Sequence, residues 1–65
     1  MPSTVIRSFH YDAPRRRLEV VFLSGRRYSY YGVPPAVAEA MRAAASKGGY
    51  FNRCIRDRYA FNRLV

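Results

Sequence analysis

The chain has 65 residues, 49% of them hydrophobic and 15% aromatic, enough for one domain over residues 1–65 and too apolar for a disordered basic tail. Eleven arginines and one lysine oppose four acids, a net charge of +8. Self-repulsion at that density opposes folding, so a polyanionic partner is expected.

Residues 4–11 are rich in β-branched and aromatic types and predict a first strand. "DAPRRR" over 12–17 predicts a turn, with Asp12 and Pro14 as its formers and Arg15, Arg16 and Arg17 on its far side. "LEVVFL" over 18–23 is the clearest strand, "SG" turns the chain, and "RRYSYYG" over 26–32 follows as a third strand. The short connections make an antiparallel meander. Residues 33–49 predict a helix, with Pro35 in its first turn, Gly48 past its end, and Val37, Ala40, Met41 and Ala44 as its buried stripe. A second helical stretch follows over 50–61, where Phe51, Ile55 and Tyr59 step by four and Arg53, Arg56 and Asp57 point outward. The expected fold is therefore α+β, a three-stranded antiparallel meander sheet followed by two helices packed on one face (βββαα).

Two registers of the second hairpin give opposite answers for the tyrosines, because a slip of one residue turns every side chain to the other face. A two-residue loop of Ser24 and Gly25 sets Tyr28 opposite Val21 and exposes the rings. A three-residue loop of Leu23, Ser24 and Gly25 sets Val20 opposite Tyr28 and Leu18 opposite Tyr30, on the core face. The "LSG" sequence suits a type I turn closed by a left-handed glycine, which favours the second. At this length only about 60% of the unfolded surface is buried, so two tyrosines of a central sheet are needed inside. That register leaves Arg17, Glu19, Val21, Arg27, Ser29 and Tyr31 on the opposite face. Arginines beside an exposed ring are what a single-stranded nucleic acid meets on a binding sheet. The other register would offer Tyr28 and Tyr30 instead.

"YD" at 11–12, "LEVVF" leading to "GRRYSYYGVP", "ASKGGYFN" and finally "IRDRY" together resemble the KTSC domain, named after the C-terminus of certain lysyl-tRNA synthetases. The resemblance covers about residues 3–64 and is similar to the stand-alone bacterial form. Its motif residues here are Tyr28, Tyr30, Gly48, Phe51 and Asn52; the chain departs from the pattern at His10, where the family is often small. The resemblance suggests RNA binding.

The remaining candidates extend that reading. Lys47 and the glycines of "SKGGYF" invite a phosphate contact aided by Arg53 or Arg56, although the spacing is not that of a Walker loop. Gly48 as a helix end and Asn52 as a capping amide account for the same residues structurally. Arg15, Arg16 and Arg17 form either a solvated turn or a phosphate clamp, and Arg56 and Arg58 flank Asp57 in a candidate ion-pair network. Catalysis finds little footing: His10 is the only histidine, and four scattered acids make no acid–base pair and no metal cluster. A small basic ribonuclease working through arginine, lysine and tyrosine is the enzymatic alternative. No cofactor is expected.

No apolar stretch nears the roughly 20 residues of a membrane span. The start "MPSTVIRSFHYD" reads as no signal peptide, and a single cysteine, Cys54, allows no internal disulfide. These point to a cytoplasmic, non-catalytic module that binds nucleic acid, above all RNA. The alternative is a module docking an acidic protein through its basic surface or a sheet edge.

Overall fold

The computed structural model describes residues 5–64. It is an α+β fold with element order β1 (Ile6–Asp12), β2 (Arg17–Phe22), β3 (Arg27–Tyr30), α1 (Pro35–Ala43), α2 (Lys47–Cys54) and β4 (Phe61–Arg63). The strands make one antiparallel sheet in the order β1-β2-β3-β4. The three-stranded meander and the two helices stand as expected, and β4 adds a fourth strand beside β3. The expected first residue of β1, Thr4, lies outside the described residues.

The β2–β3 loop has the three-residue form. Phe22 faces Arg26 through the Phe22 N–H bond to the Arg26 carbonyl at 2.9 Å, and Gly25 N–H donates to the Phe22 carbonyl at 2.8 Å. Gly25 closes it at φ +95°, a conformation that a side chain would strain. Leu18 therefore pairs with Tyr30 and Val20 with Tyr28, so both tyrosines face the core. Between β1 and β2 the turn ends on Arg16 at φ 51°, a left-handed non-glycine.

One face of the sheet carries the core. Leu18, Val20 and Tyr30 pack with Val33, Met41, Phe51 and Ile55, all buried. Each large aliphatic or phenyl side chain buried there contributes roughly 1.5–3 kcal/mol. Phe51 of α2 meets Phe22 and Tyr30 edge-on, with centroids 5.4 and 5.2 Å apart, in the T-shaped geometry that the ring quadrupoles favour. The Tyr11 hydroxyl donates to the Val33 carbonyl at 2.6 Å, and Val33 N–H donates to the Arg16 carbonyl at 2.9 Å. The segment entering α1 is thereby tied to both β1 and the first turn.

The helices depart from expectation at their ends. Pro35 does open α1, but α1 stops at Ala43, and Ala44 turns the chain at φ −68°, ψ 140° without a glycine. Ala38 and Met41 are buried, Val37 and Ala44 half-buried, and Ala40 exposed, so the buried stripe is rotated one position from the expected one. Gly48 is not the end of α1; it is the second residue of α2. Ser46 caps α2 instead, its hydroxyl accepting from Gly49 N–H at 3.1 Å. A Cβ on Gly49 would stand 3.0 Å from the Ser46 Oγ, so the second glycine leaves room for the cap. Ile55 ends α2, and β4 takes residues that continued the expected helix. Phe51 and Ile55 are buried and Tyr59 half-buried against the same core, although Tyr59 lies beyond the helix.

Candidate nucleic-acid interface

The strand pairing that turns the tyrosines inward turns a polar set outward. Glu19 pairs with Ser29 and Val21 with Arg27, and the pairing continued by one step sets Arg17 opposite Tyr31. His10 pairs with Glu19 on one side and Ser29 with Asn62 on the other. A row of His10, Glu19, Ser29 and Asn62 thus crosses all four strands. Ser29, the short side chain in its middle, is 2% exposed and forms the floor of the row.

Arg17 and Tyr31 border this row on one side and Arg27 on the other. Tyr31 is 41% exposed. Ring contacts among the described residues join Phe22, Tyr28, Tyr30, Phe51 and Phe61, and Tyr31 takes part in none. Four residues of β structure separate Arg27 from Tyr31, about 13 Å. Arg27 reaches Glu19 at 3.4 Å, with both side chains open to water, so little free energy is tied up in the pair.

The first turn joins the same end of the sheet. Arg15 bonds Asp12 at 3.1 Å, and this guanidinium holds the Asp12 carboxyl below the usual carboxylate range. Arg16 is exposed, and its carbonyl is held by Val33. Arg15, Arg16, Arg17 and Tyr31 are thus brought together at one end.

Lys47, Arg53 and Arg56 are not brought to this face. All three belong to α2 or the turn after it, and Phe51 packs α2 against the inner face. Lys47 Nζ donates to the Ala44 carbonyl at 3.3 Å, and an Arg56 guanidinium N–H donates to Asn52 Oδ1 at 3.5 Å. Arg53, Arg58, Asn52 and Asp57 line a shallow groove of about 530 Å³. Among the described residues the salt bridges are Asp12–Arg15, Glu19–Arg27 and Glu39–Arg42. The candidate network on Asp57 is not among them.

The motif residues have structural work. Tyr28 touches Phe22, Tyr30 and Phe61, with centroids 5.6, 6.3 and 5.6 Å apart. Tyr30 is buried, and loss of solvent, with Tyr28 close by, pushes its hydroxyl up to about 12. Phe51 is core and Gly48 is inside α2. His10 and Asn62, the outward residues at the two ends of the polar row, were not candidates from the sequence. Asn62 becomes visible only once β4 is in place, and a lone strand histidine carries no signal of its direction.

Residues 2–59 match the KTSC domain. A lysine–tRNA ligase of Nostoc punctiforme is 39% identical over 61 residues, 94% of this chain but 11% of the ligase. An uncharacterised protein of Stutzerimonas stutzeri is 39% identical over 59 residues, covering 91% of this chain and 83% of that protein. The crystal structure of a KTSC domain protein from Yersinia pestis superposes with a TM-score of 0.88 at 32% identity, over 100% of this chain and 92% of the other. The chain spans only about a tenth of the tRNA ligases it matches, and most of the stand-alone relatives. On the match over residues 2–59, the chain belongs to the KTSC domain family.

Proposed function

We propose that this KTSC domain is a non-catalytic module that binds single-stranded RNA on the outer face of its sheet. The observation that carries the proposal is the strand register, which sets Arg17 beside the exposed ring of Tyr31 and Arg27 across the polar row. Tyr31 stacks on one base while Arg17 and Arg27 contact phosphates, and His10 and Asn62 offer hydrogen-bonding groups to base edges. Twelve cations against four acids cannot be neutralised within the molecule, so Arg15, Arg16 and the cations of α2 add long-range attraction. The occurrence of a similar segment in proteins named lysine–tRNA ligase supports RNA over other polyanions.

The test is a titration of a labelled single-stranded RNA of about 8 nucleotides over roughly 50–200 mM salt. Log K should fall linearly with log salt, by about 0.7 per phosphate contact, and Arg17→Ala should lower the slope by about that amount. Tyr31→Ala should weaken binding about 5- to 150-fold, the worth of one stacked base, with its melting temperature little changed. Absence of RNA binding at the lowest salt refutes the proposal and leaves an acidic protein as the partner to test.

A further inference from the structure

Resting on that reading, we infer that the groove along the open edge of β1 is a phosphodiester site where an RNA strand leaves the sheet face. The groove holds about 550 Å³ and is lined by residues 6–11 of β1, among which Arg7, Ser8 and His10 bring polar groups, with Arg42 and Lys47. Arg42 lies in the last turn of α1 and Lys47 begins α2, so the turn between the helices brings two cations to the strand edge. Arg7 is the extra residue of the bulge between Ile6 and Ser8. Three cations from three elements thus share one groove, and among the described residues no carboxylate lines it. Arg42 also lies 3.6 Å from Glu39, but both side chains are exposed, so a phosphate can take the guanidinium at little cost. Lys47 spends one N–H on the Ala44 carbonyl and retains two.

Continuity gives the groove its occupant. Ser8 and His10 pair with Val21 and Glu19, so they belong to the outer face as well as to the groove. Four strands spaced about 4.8 Å apart make that face about 14 Å wide. An RNA of more than a few nucleotides laid along the row from Asn62 to His10 therefore leaves across an edge. The β4 edge presents Phe61 and Leu64, 54% and 43% exposed, around Arg63. The β1 edge presents Arg7, Arg42 and Lys47, and a phosphodiester takes that side.

The experiment compares RNAs of about 4 and about 10 nucleotides on the parent and on a double variant, Arg42→Gln with Lys47→Gln. With the longer RNA the salt slope should fall by about 1.4, two contacts at about 0.7 each, so that affinity lost between about 50 and 200 mM salt shrinks about sevenfold. With the shorter RNA the slope should not change. Arg56→Gln with Arg58→Gln removes the same charge away from the groove and should leave both slopes in place. An unchanged slope on the longer RNA, while the parent binds it, overturns the groove and leaves the sheet face standing. Equal losses on both RNAs overturn it as well, as a general charge effect. Groove-dependent capture of polyglutamate in place of RNA overturns it in favour of an acidic polypeptide. Failure of the parent to bind either RNA overturns the groove and the sheet face together.

Discussion

Replacing Tyr28 by alanine separates a core tyrosine from a ligand-stacking one. In the folded chain this half-buried ring touches Phe22, Tyr30 and Phe61, and each such pair is worth about 0.5–1.5 kcal/mol beyond its buried area. Large aromatic-to-alanine truncations in full cores cost about 3–5 kcal/mol, so partial burial places Tyr28→Ala near the lower end, about 3 kcal/mol. A domain of this length has roughly 3–10 kcal/mol in all. At about 4–8 °C per kcal/mol for small domains, the melting temperature should drop by about 12–24 °C. Thermal melts followed by circular dichroism read this directly, with Tyr31→Ala as the companion. Among the described residues Tyr31 has no ring neighbour, and it is exposed, so its loss should stay within about 0.5 kcal/mol. A Tyr28→Ala variant melting within about 4 °C of the parent, or a Tyr31→Ala variant melting far below it, would refute the assignment of faces.

Burial holds the Tyr30 hydroxyl at about 12, so between about pH 10 and 12 the unfolded chain gives up this proton while the folded chain keeps it, and stability falls as pH rises. Urea unfolding at stepped pH should show that decline, and Tyr30→Phe should flatten it. Ser46→Ala removes the cap of α2 and should cost about 1 kcal/mol, read as a lower urea midpoint at unchanged slope. Arg16→Gly relieves a left-handed arginine and, after the entropy that glycine adds to the unfolded chain, should raise stability by up to about 1 kcal/mol in the same assay.

The meander was legible because its signals are local. Alternation in "LEVVF" and a glycine at the closing position of "LSG" determine the register, and the outward faces of Arg17, Arg27 and Tyr31 follow. The helix ends were not legible, because "AAASKGG" supports two parses. Gly48 can close one helix or Ser46 can open the next, and the alanines between them favour helix in either case. Packing decides, since α1 must stop at Ala43 for α2 to lay Phe51 on the sheet. β4 was missed for a related reason. Phe51, Ile55 and Tyr59 keep a step of four that reads as one helix, whereas a three-residue strand owes its existence to a partner some thirty residues earlier.

That late partner sets the order in which the molecule can be completed. Tyr28 faces Arg63 and Tyr30 faces Phe61 across the last ladder, so the third strand keeps a bare margin until residues 61–63 have been made. A nascent chain that has not yet reached residues 61–63 would carry both helix segments yet present an unfilled seam beside the aromatic cluster. Closure of that seam is a long-range step of folding.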